Sequence, residues 1–140
     1  NAKSKVVLTP HPKEMSRLAG TPTEIIQSDR IGWARKFAAD NGVYLVLKGS
    51  NTVVSEPDSK RTYVNASGNN GLSKGGSGDV LTGIIGGFAV QGFGLIEAIT
   101  AAVYVHGHVA DVVADNLSKS GMLPSDVVSE LASTLSAFEK

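Results

Sequence analysis

The chain has 140 residues, of which 41% are hydrophobic, and its 13 basic and 13 acidic residues give a net charge of zero. This length and composition are typical of one globular domain with its own core, and the sequence has no basic patch that suggests nucleic-acid binding. The absence of cysteine excludes disulfides and thiolate metal sites and favours a cytoplasmic protein, and no apolar run reaches the roughly 20 residues of a membrane helix.

The beginning of the chain predicts a strand followed by a short helix. Lys5–Thr9 is an apolar run with β-branched residues and predicts a buried strand. Pro12 suits the first turn of the helix that follows, and Gly20 ends it. Met15 and Leu18, three residues apart, are expected to share the buried face of that helix.

A second helix and a second strand complete a crossover unit. Thr21 or Thr23 can cap the helix, Gly32 interrupts its apolar stripe, and Asn41–Gly42 is the left-handed pair that ends it. The apolar run Val43–Leu47 then predicts a strand buried on both faces of a mainly parallel sheet. Strand, helix and strand in this order predict a right-handed parallel crossover.

The remainder of the chain predicts a hairpin and then helices. Thr52–Ser55 and Arg61–Asn65 flank a turn at Glu56–Ser59 and predict an antiparallel pair. Three helices are expected after it, namely Gly78–Gln91, Leu95–Asn116, and a last helix from Ser125 or Asp126 to about Phe138. Early strands and late helices indicate a single layered α/β domain over residues 1–140, in which helices cover the sheet.

In the stretch Gly68–Gly92 a glycine-rich turn runs directly into an apolar helix. Glycine lets the backbone take positive φ and approach a ligand closely, and the first free amides of a helix starting near Gly78 form an anion site. Asp79 in the first turn would repel a phosphate unless the chemistry needs a base there. A flexible linker is the alternative, but a linker would not lead straight into an apolar helix, and the Walker pattern is absent.

The turn Lys48–Thr52 follows the second strand and supplies one cation and several hydrogen-bond donors. Ligands bind at the carboxyl ends of strands in open α/β sheets, so this turn suits the phosphates or sugar of a nucleotide; an ordinary surface turn is the alternative. His11 lies at the carboxyl end of the other parallel strand and is expected to line the same crevice.

Several titratable residues fall on the predicted Leu95–Asn116 helix. His106 and His108 are two residues apart, on different helix faces, so they cannot chelate one ion and are interpreted as packed or capping residues. Asp111 and Asp115 share a face at a spacing that could bind a metal, although a solvated face is the preferred explanation. No dedicated metal ligands are predicted.

Four ordered blocks of the chain resemble the NAD(P)H-hydrate dehydratases of the ribokinase-like fold. The blocks are Val7–Leu18 (VLTPHPKEMSRL), Val46–Val54 (VLKGSNTVV), Asn65–Gly92 and Val103–Asp111 (VYVHGHVAD), with a matching Ser125–Asp126 step. They cover nearly the whole chain, and their order is more specific than the glycine–aspartate stretch alone. The resemblance implies a layered α/β/α fold.

By the same resemblance, the activity is the repair of hydrated NADH or NADPH, coupled to hydrolysis of ADP or ATP with Mg²⁺. The hydroxyl of the hydrate is phosphorylated, and phosphate then leaves with help from the ring nitrogen. The resemblance implies Asp79 as the catalytic base and a substrate contact, and His11 as a residue that binds the hydrate. The implied nucleotide-binding residues are Lys48, Gly49, Ser50, Asn51, Thr52, Gly75, Gly76, Ser77 and Gly78. A homo-oligomer is also implied.

The chain departs from the family pattern in two ways. Lys13 stands where the motif usually has glycine, close to His11. Family members are also longer, so we expect the chain to be the carboxyl-terminal half of a ribokinase-like domain, with the missing amino-terminal half preceding Asn1 as its partner. The strand Lys5–Thr9 would then expose a sheet edge, which favours association.

Two other functions fit the same residues. A ribokinase-like kinase acting on a vitamin precursor or a sugar hydroxyl would use the same glycine–aspartate stretch, although the run LTPHPKE favours the dehydratase. A nucleotide-binding fragment without turnover is the third possibility, because the chain is short.

Overall fold

The computed structural model describes residues 4–58 and 60–138. The chain divides into two compact units, and the boundary lies between Asn65 and Ala66. That residues 1–140 form a single domain stays a prediction.

The first unit contains a four-stranded sheet with the strand order β1–β2–β3–β4. Its elements are β1 (Val7–Leu8), α1 (Pro12–Ala19), α2 (Thr23–Ser28), α3 (Arg30–Asn41), β2 (Tyr44–Leu47), β3 (Val53–Ser55) and β4 (Thr62–Val64). The pair β1–β2 is parallel, as the crossover predicts, and β3–β4 is the predicted antiparallel hairpin. The pair β2–β3 is also antiparallel, so the described sheet is mixed rather than mainly parallel. The predicted turn residue Ser59 lies outside the described residues.

The core of the first unit lies between the helices and the sheet. Its fully or almost fully buried members are Met15, Ile26, Ala34, Ala38, Leu45, Leu47 and Val53. The prediction that Leu18 shares the buried face with Met15 is wrong, because Leu18 is 51% exposed. Three residues along a helix correspond to a rotation about 60° short of a full turn, and α1 buries only a narrow face.

The second predicted helix, which ends at Asn41, is two helices, α2 and α3, rather than one. Asp29 interrupts it with non-helical backbone angles, φ −146° and ψ 70°, and its carboxylate accepts a hydrogen bond from the Gly32 amide at 2.9 Å. A Cβ atom at position 32 would collide with that carboxylate, so the glycine makes room for the cap. The predicted threonine cap of α2 is wrong: Pro22 precedes the helix, and the Thr21 hydroxyl instead donates to the Ala19 carbonyl.

The second unit is helical. It contains a 3₁₀ turn at Asn70–Ser73 followed by α4 (Ser77–Ala89), α5 (Leu95–Leu117) and α6 (Pro124–Phe138). These bounds confirm the three predicted helices, and each begins within one residue of a predicted start. One apolar cluster of this unit is formed by Val105, Val109, Ala110, Val113, Met122 and Val127. Over the described ranges, none of the helices combines the length and apolarity needed to cross a membrane.

Candidate functional site

The sequence-predicted site residues fall on both units. His11 and Lys48–Thr52 belong to the first unit, and Gly75–Asp79 belongs to the second. Among the described residues no cluster of three histidine or acidic side chains could hold a metal ion.

The amino-terminal end of α4 has the geometry of an anion site. Gly76 precedes the helix in the left-handed region, with φ 95° and ψ −23°, and no side chain caps the first turn. By contrast, His11 and Asp29 cap α1 and α3 with their side chains. Because Gly75 and Gly76 are exposed and lack side chains, the positive end of the helix dipole is open to an anion.

Asp79 is in the first turn of α4, and its side chain is exposed. Its backbone amide bonds to the Gly76 carbonyl at 3.0 Å, which fixes the residue within the turn. A carboxylate at this place can accept a proton from a group that lies against the helix end. The position therefore fits the predicted base, and the catalytic role itself stays a prediction.

The loop that leads into the glycine turn is tied to α5 through Asp111. One oxygen of the Asp111 carboxylate accepts from the Gly68 amide at 2.8 Å, and the other accepts from the Asn69 side chain at 2.8 Å. The Asn69 side chain also donates to the Ala110 carbonyl at 3.0 Å and accepts from the Gly71 amide at 2.9 Å. The preferred explanation of a solvated face is therefore wrong for Asp111, whose carboxylate orders the loop.

Lys74 and Gly107 hold the same loop at two other points. The Lys74 ammonium donates to the Ser120 carbonyl at 2.6 Å and also to the Met122 carbonyl. A Cβ atom at Gly107 would meet the Ser67 backbone at 2.7 Å, so only glycine allows this approach of the loop to α5. The segment that leads into the glycine turn is thus an ordered loop and not a flexible linker.

His106 is buried on α5 and hydrogen-bonds with the backbone of Ser77, the first residue of α4. Burial lowers the pKa of His106 to about 4, and the hydrogen bond to Ser77 opposes this shift only in part. His108 instead stacks on Tyr104, with ring centroids 5.7 Å apart and an interplanar angle of 8°. Both results confirm the interpretation of these histidines as packed residues.

In the first unit, Glu14 lies between His11 and Lys48. The Glu14 carboxylate accepts from the His11 amide at 2.7 Å, and Nδ1 of His11 accepts from the Glu14 amide at 3.2 Å, which forms a capping box at α1. The second ring nitrogen of His11, Nε2, is 3.5 Å from the Glu14 carboxylate, and the Lys48 ammonium is 3.8 Å from the same carboxylate. Two predicted ligand-binding side chains are therefore joined by a third residue.

The charge of Glu14 is stabilised by its neighbours. The hydrogen bond from the His11 backbone lowers the pKa of Glu14 most, and the charges of Lys48, His11 and Arg17 lower it further, against a smaller effect of burial. Glu14 was not identified as a site residue from the sequence. The capping signal, a side-chain acceptor three residues before a glutamate and with Pro12 between them, was available in the sequence.

The predicted nucleotide turn is shaped by its backbone. Gly49 has φ 144° and Asn51 has φ 55°, and the Thr52 hydroxyl donates to the Gly49 carbonyl at 3.1 Å. The Arg30 guanidinium donates to the carbonyls of Leu47 and Lys48. Arg30 was not foreseen, because a contact across 17 residues leaves no local sequence pattern.

Comparisons with known proteins agree with the resemblance. The family model described as NAD(P)H-hydrate dehydratase matches residues 1–133. An ADP-dependent (S)-NAD(P)H-hydrate dehydratase of Neisseria meningitidis is 45% identical over 123 residues, which are 87% of the chain and 41% of the relative. A bifunctional NAD(P)H-hydrate repair enzyme of Moorella thermoacetica is 42% identical over 96% of the chain and 25% of its own length.

Solved structures confirm the fold class. The ADP/ATP-dependent NAD(P)H-hydrate dehydratase of Bacillus subtilis, co-crystallised with ATP and Mg²⁺, gives a TM-score of 0.94 at 36% identity, over 99% of the chain and 50% of that protein. A ribokinase-like superfamily protein of Enterococcus faecalis gives 0.83 at 32% identity, over 95% of the chain and 44% of that protein. The chain therefore has the expected ribokinase-like α/β fold and spans half or less of the length of these relatives.

Proposed function

Because the chain belongs to the NAD(P)H-hydrate dehydratase family, we propose that the protein converts hydrated NADH or NADPH back to the dihydronicotinamide with ADP or ATP as cosubstrate. This proposal is carried by one observation at the amino-terminal end of α4. The exposed carboxylate of Asp79 lies there in the first turn of a helix that has no side-chain cap. A nucleotide phosphate and a proton acceptor are the two things that the reaction needs at one place.

Asp79 acts as the general base. It takes the proton of the hydrate hydroxyl, and that oxygen attacks the terminal phosphorus of the nucleotide, so that ADP leaves as AMP. Phosphate then leaves the carbon that carried the hydroxyl, because the lone pair of the ring nitrogen forms a C=N bond as the C–O bond breaks. The neighbouring ring carbon then loses a proton to water, and this step restores the dihydronicotinamide.

The glycine turn stabilises the charge on the transferred phosphoryl group. The Ser77 amide donates to the Lys74 carbonyl at 3.3 Å, so we propose that the Gly78 amide faces the developing negative charge, and Gly75 and Gly76 allow close approach. Because Asp111 and Lys74 fix the loop beforehand, little reorganisation is needed when the phosphate binds. This is the role of a preformed anion hole.

The first unit contains the residues to which the resemblance assigns binding of the AMP portion and of the hydrate. Lys48–Thr52 holds the AMP portion of the nucleotide, and His11 contacts the hydrate. Nδ1 of His11 accepts from the Glu14 amide in the helix cap, so we propose that Nε2, which lies 3.5 Å from Glu14, is the imidazole atom that contacts the hydrate. Lys13 adds a positive charge close to His11, where the family motif has glycine.

Magnesium has no dedicated ligand set among the described residues. We propose that the ion arrives with the nucleotide, since Mg²⁺ is commonly bound through substrate phosphates rather than by a protein cage. The Bacillus relative was co-crystallised with ATP and Mg²⁺ together.

The chain covers 41% of the Neisseria dehydratase. We propose that an amino-terminal half of the same protein, as expected from the resemblance, completes the hydrate pocket. We propose a cytoplasmic location, which the absence of cysteine favours, and a homo-oligomer, which the resemblance implies.

The test is the absorbance of NADH that forms from its hydrate when ADP and Mg²⁺ are added, with AMP and phosphate measured in parallel. A dehydratase gives one AMP for each NADH. A ribokinase-like kinase consumes nucleotide with a vitamin precursor or a sugar and gives no NADH, and that outcome would replace the proposal.

A further inference from the structure

We propose that Arg30 is a positioning residue that holds the Lys48–Thr52 turn in the shape that binds the nucleotide; this inference rests on the proposed function. Nη2 of Arg30 donates to the Leu47 carbonyl at 3.0 Å and to the Lys48 carbonyl at 3.3 Å. Leu47 is the last residue of β2, so these contacts fix the chain at the point where the strand becomes the turn.

Gly49 and the guanidinium fit each other. A Cβ atom at Gly49 would lie 2.5 Å from Nη1 of Arg30, and Gly49 has φ 144°. A side chain at this position would both strain the backbone and displace the guanidinium. The absence of a side chain at Gly49 therefore allows the guanidinium to lie against the turn.

Arg30 is poorly suited to its own helix. It is the first residue of α3, where a positive charge faces the positive end of the helix dipole. The helix does not need the Arg30 side chain for capping, because Asp29 already caps it. A residue that is unfavourable for its own helix is expected to have a role outside that helix. The hydrogen bonds of Arg30 indicate that this role is in the turn.

The guanidinium also carries a desolvation cost. Its Nε is buried and has no hydrogen-bond partner among the described residues. Burial lowers the pKa of Arg30 from its usual value. Since Nη2 is occupied by two carbonyls and Nε is enclosed, Arg30 acts through the backbone of the turn.

The experiment uses the whole protein and measures ADP and ATP binding by calorimetry, together with KM and kcat for the nucleotide. Arg30→Gln removes the charged donor and is expected to weaken nucleotide binding about tenfold or more, the factor for one hydrogen bond to a charged group. It should change kcat less than about twofold, because the base and the anion hole are untouched. Arg30→Lys keeps the charge with a single donor group and should recover part of the affinity.

Two glycine variants provide a second route and a matched control. Gly49→Ala should weaken nucleotide binding, and in the Arg30→Gln background it should add much less, because both changes displace the same turn. Gly20→Ala introduces a side chain at φ 61° with no atom within 4 Å of the new Cβ. It should therefore lower stability without changing nucleotide affinity.

The outcomes separate this inference from the proposed function. Weakened binding in the Arg30 variants of a protein that binds ADP but makes no NADH supports the positioning role and refutes the dehydratase. Wild-type affinity in folded Arg30→Gln, in a protein that does make NADH, overturns the positioning role alone. Absence of nucleotide binding by the wild-type protein overturns both.

Discussion

The buried His106 should make the stability of the protein depend on pH in a defined window. Burial lowers its pKa in the folded protein to about 4, whereas an unfolded histidine titrates near 6.5. Its Nε2 is enclosed without a hydrogen-bond partner among the described residues, so a proton there would leave a buried charge without an acceptor. Between about pH 6.5 and about pH 4 the unfolded state therefore binds more protons than the folded state.

The sign and size of the effect follow from this difference. As far as His106 is concerned, the unfolding free energy is highest above the pKa of the unfolded state. It falls as the pH is lowered through the window and levels off below the pKa of the folded state. Each pKa unit corresponds to about 1.4 kcal/mol, so His106 should remove roughly 3 kcal/mol of unfolding free energy. This is a large share of the 5–15 kcal/mol that stabilises a typical domain.

The assay is urea unfolding of the wild-type protein and of His106→Gln at a series of pH values. The glutamine does not titrate, so the wild type should lose roughly 3 kcal/mol more than the variant between about pH 7 and about pH 4. The lowered pKa values of Glu14 and Asp58 contribute equally to both proteins and cancel in the difference. Parallel curves for the two proteins would refute the argument that His106 is buried in its neutral form.

Three other changes test the loop, the cap and the anion site. Gly78→Val should abolish nucleotide binding in calorimetry, because a branched side chain stands where the phosphate approaches the backbone; unchanged affinity in a folded protein would move the phosphate site elsewhere. Asp111→Ala should lower the unfolding free energy by about 2 kcal/mol, because the Gly68 amide and the Asn69 side chain lose a charged acceptor; a loss below about 0.5 kcal/mol would contradict this tether. Glu14→Gln keeps an acceptor for the helix cap and removes an exposed charge, so it should cost less than about 1 kcal/mol in urea unfolding; a larger loss would show that the carboxylate is needed for folding.

Local patterns predicted most of the fold. The change from a glycine turn to an apolar run placed the start of α4 at Gly78, one residue from the observed start. The errors came from local decisions that the wider structure overrides. Leu18 is exposed because α1 packs through a narrow face, and Asp29 breaks the second helix because its carboxylate caps the next one.

The supporting residues of the candidate site could not be predicted in the same way. The contacts of Asp111 with the loop join residues that are 42 and 43 positions apart, and those of Arg30 join residues 17 and 18 apart. Such contacts depend on tertiary packing and have no periodic signature. Sequence spacing alone suggested a solvated face for Asp111 and gave no role to Arg30.

The most direct test of the central claim is to measure nucleotide affinity and turnover together in Asp79→Asn. The substitution removes the proposed base at the end of α4 and changes the volume of the side chain very little. We expect ADP to bind with an affinity close to that of the wild type, while the rate of NADH formation from the hydrate falls about a hundred- to ten-thousand-fold, the range for loss of a general base. A near-wild-type rate in the folded variant would contradict the role of Asp79 and with it the assignment of the reaction to the end of α4.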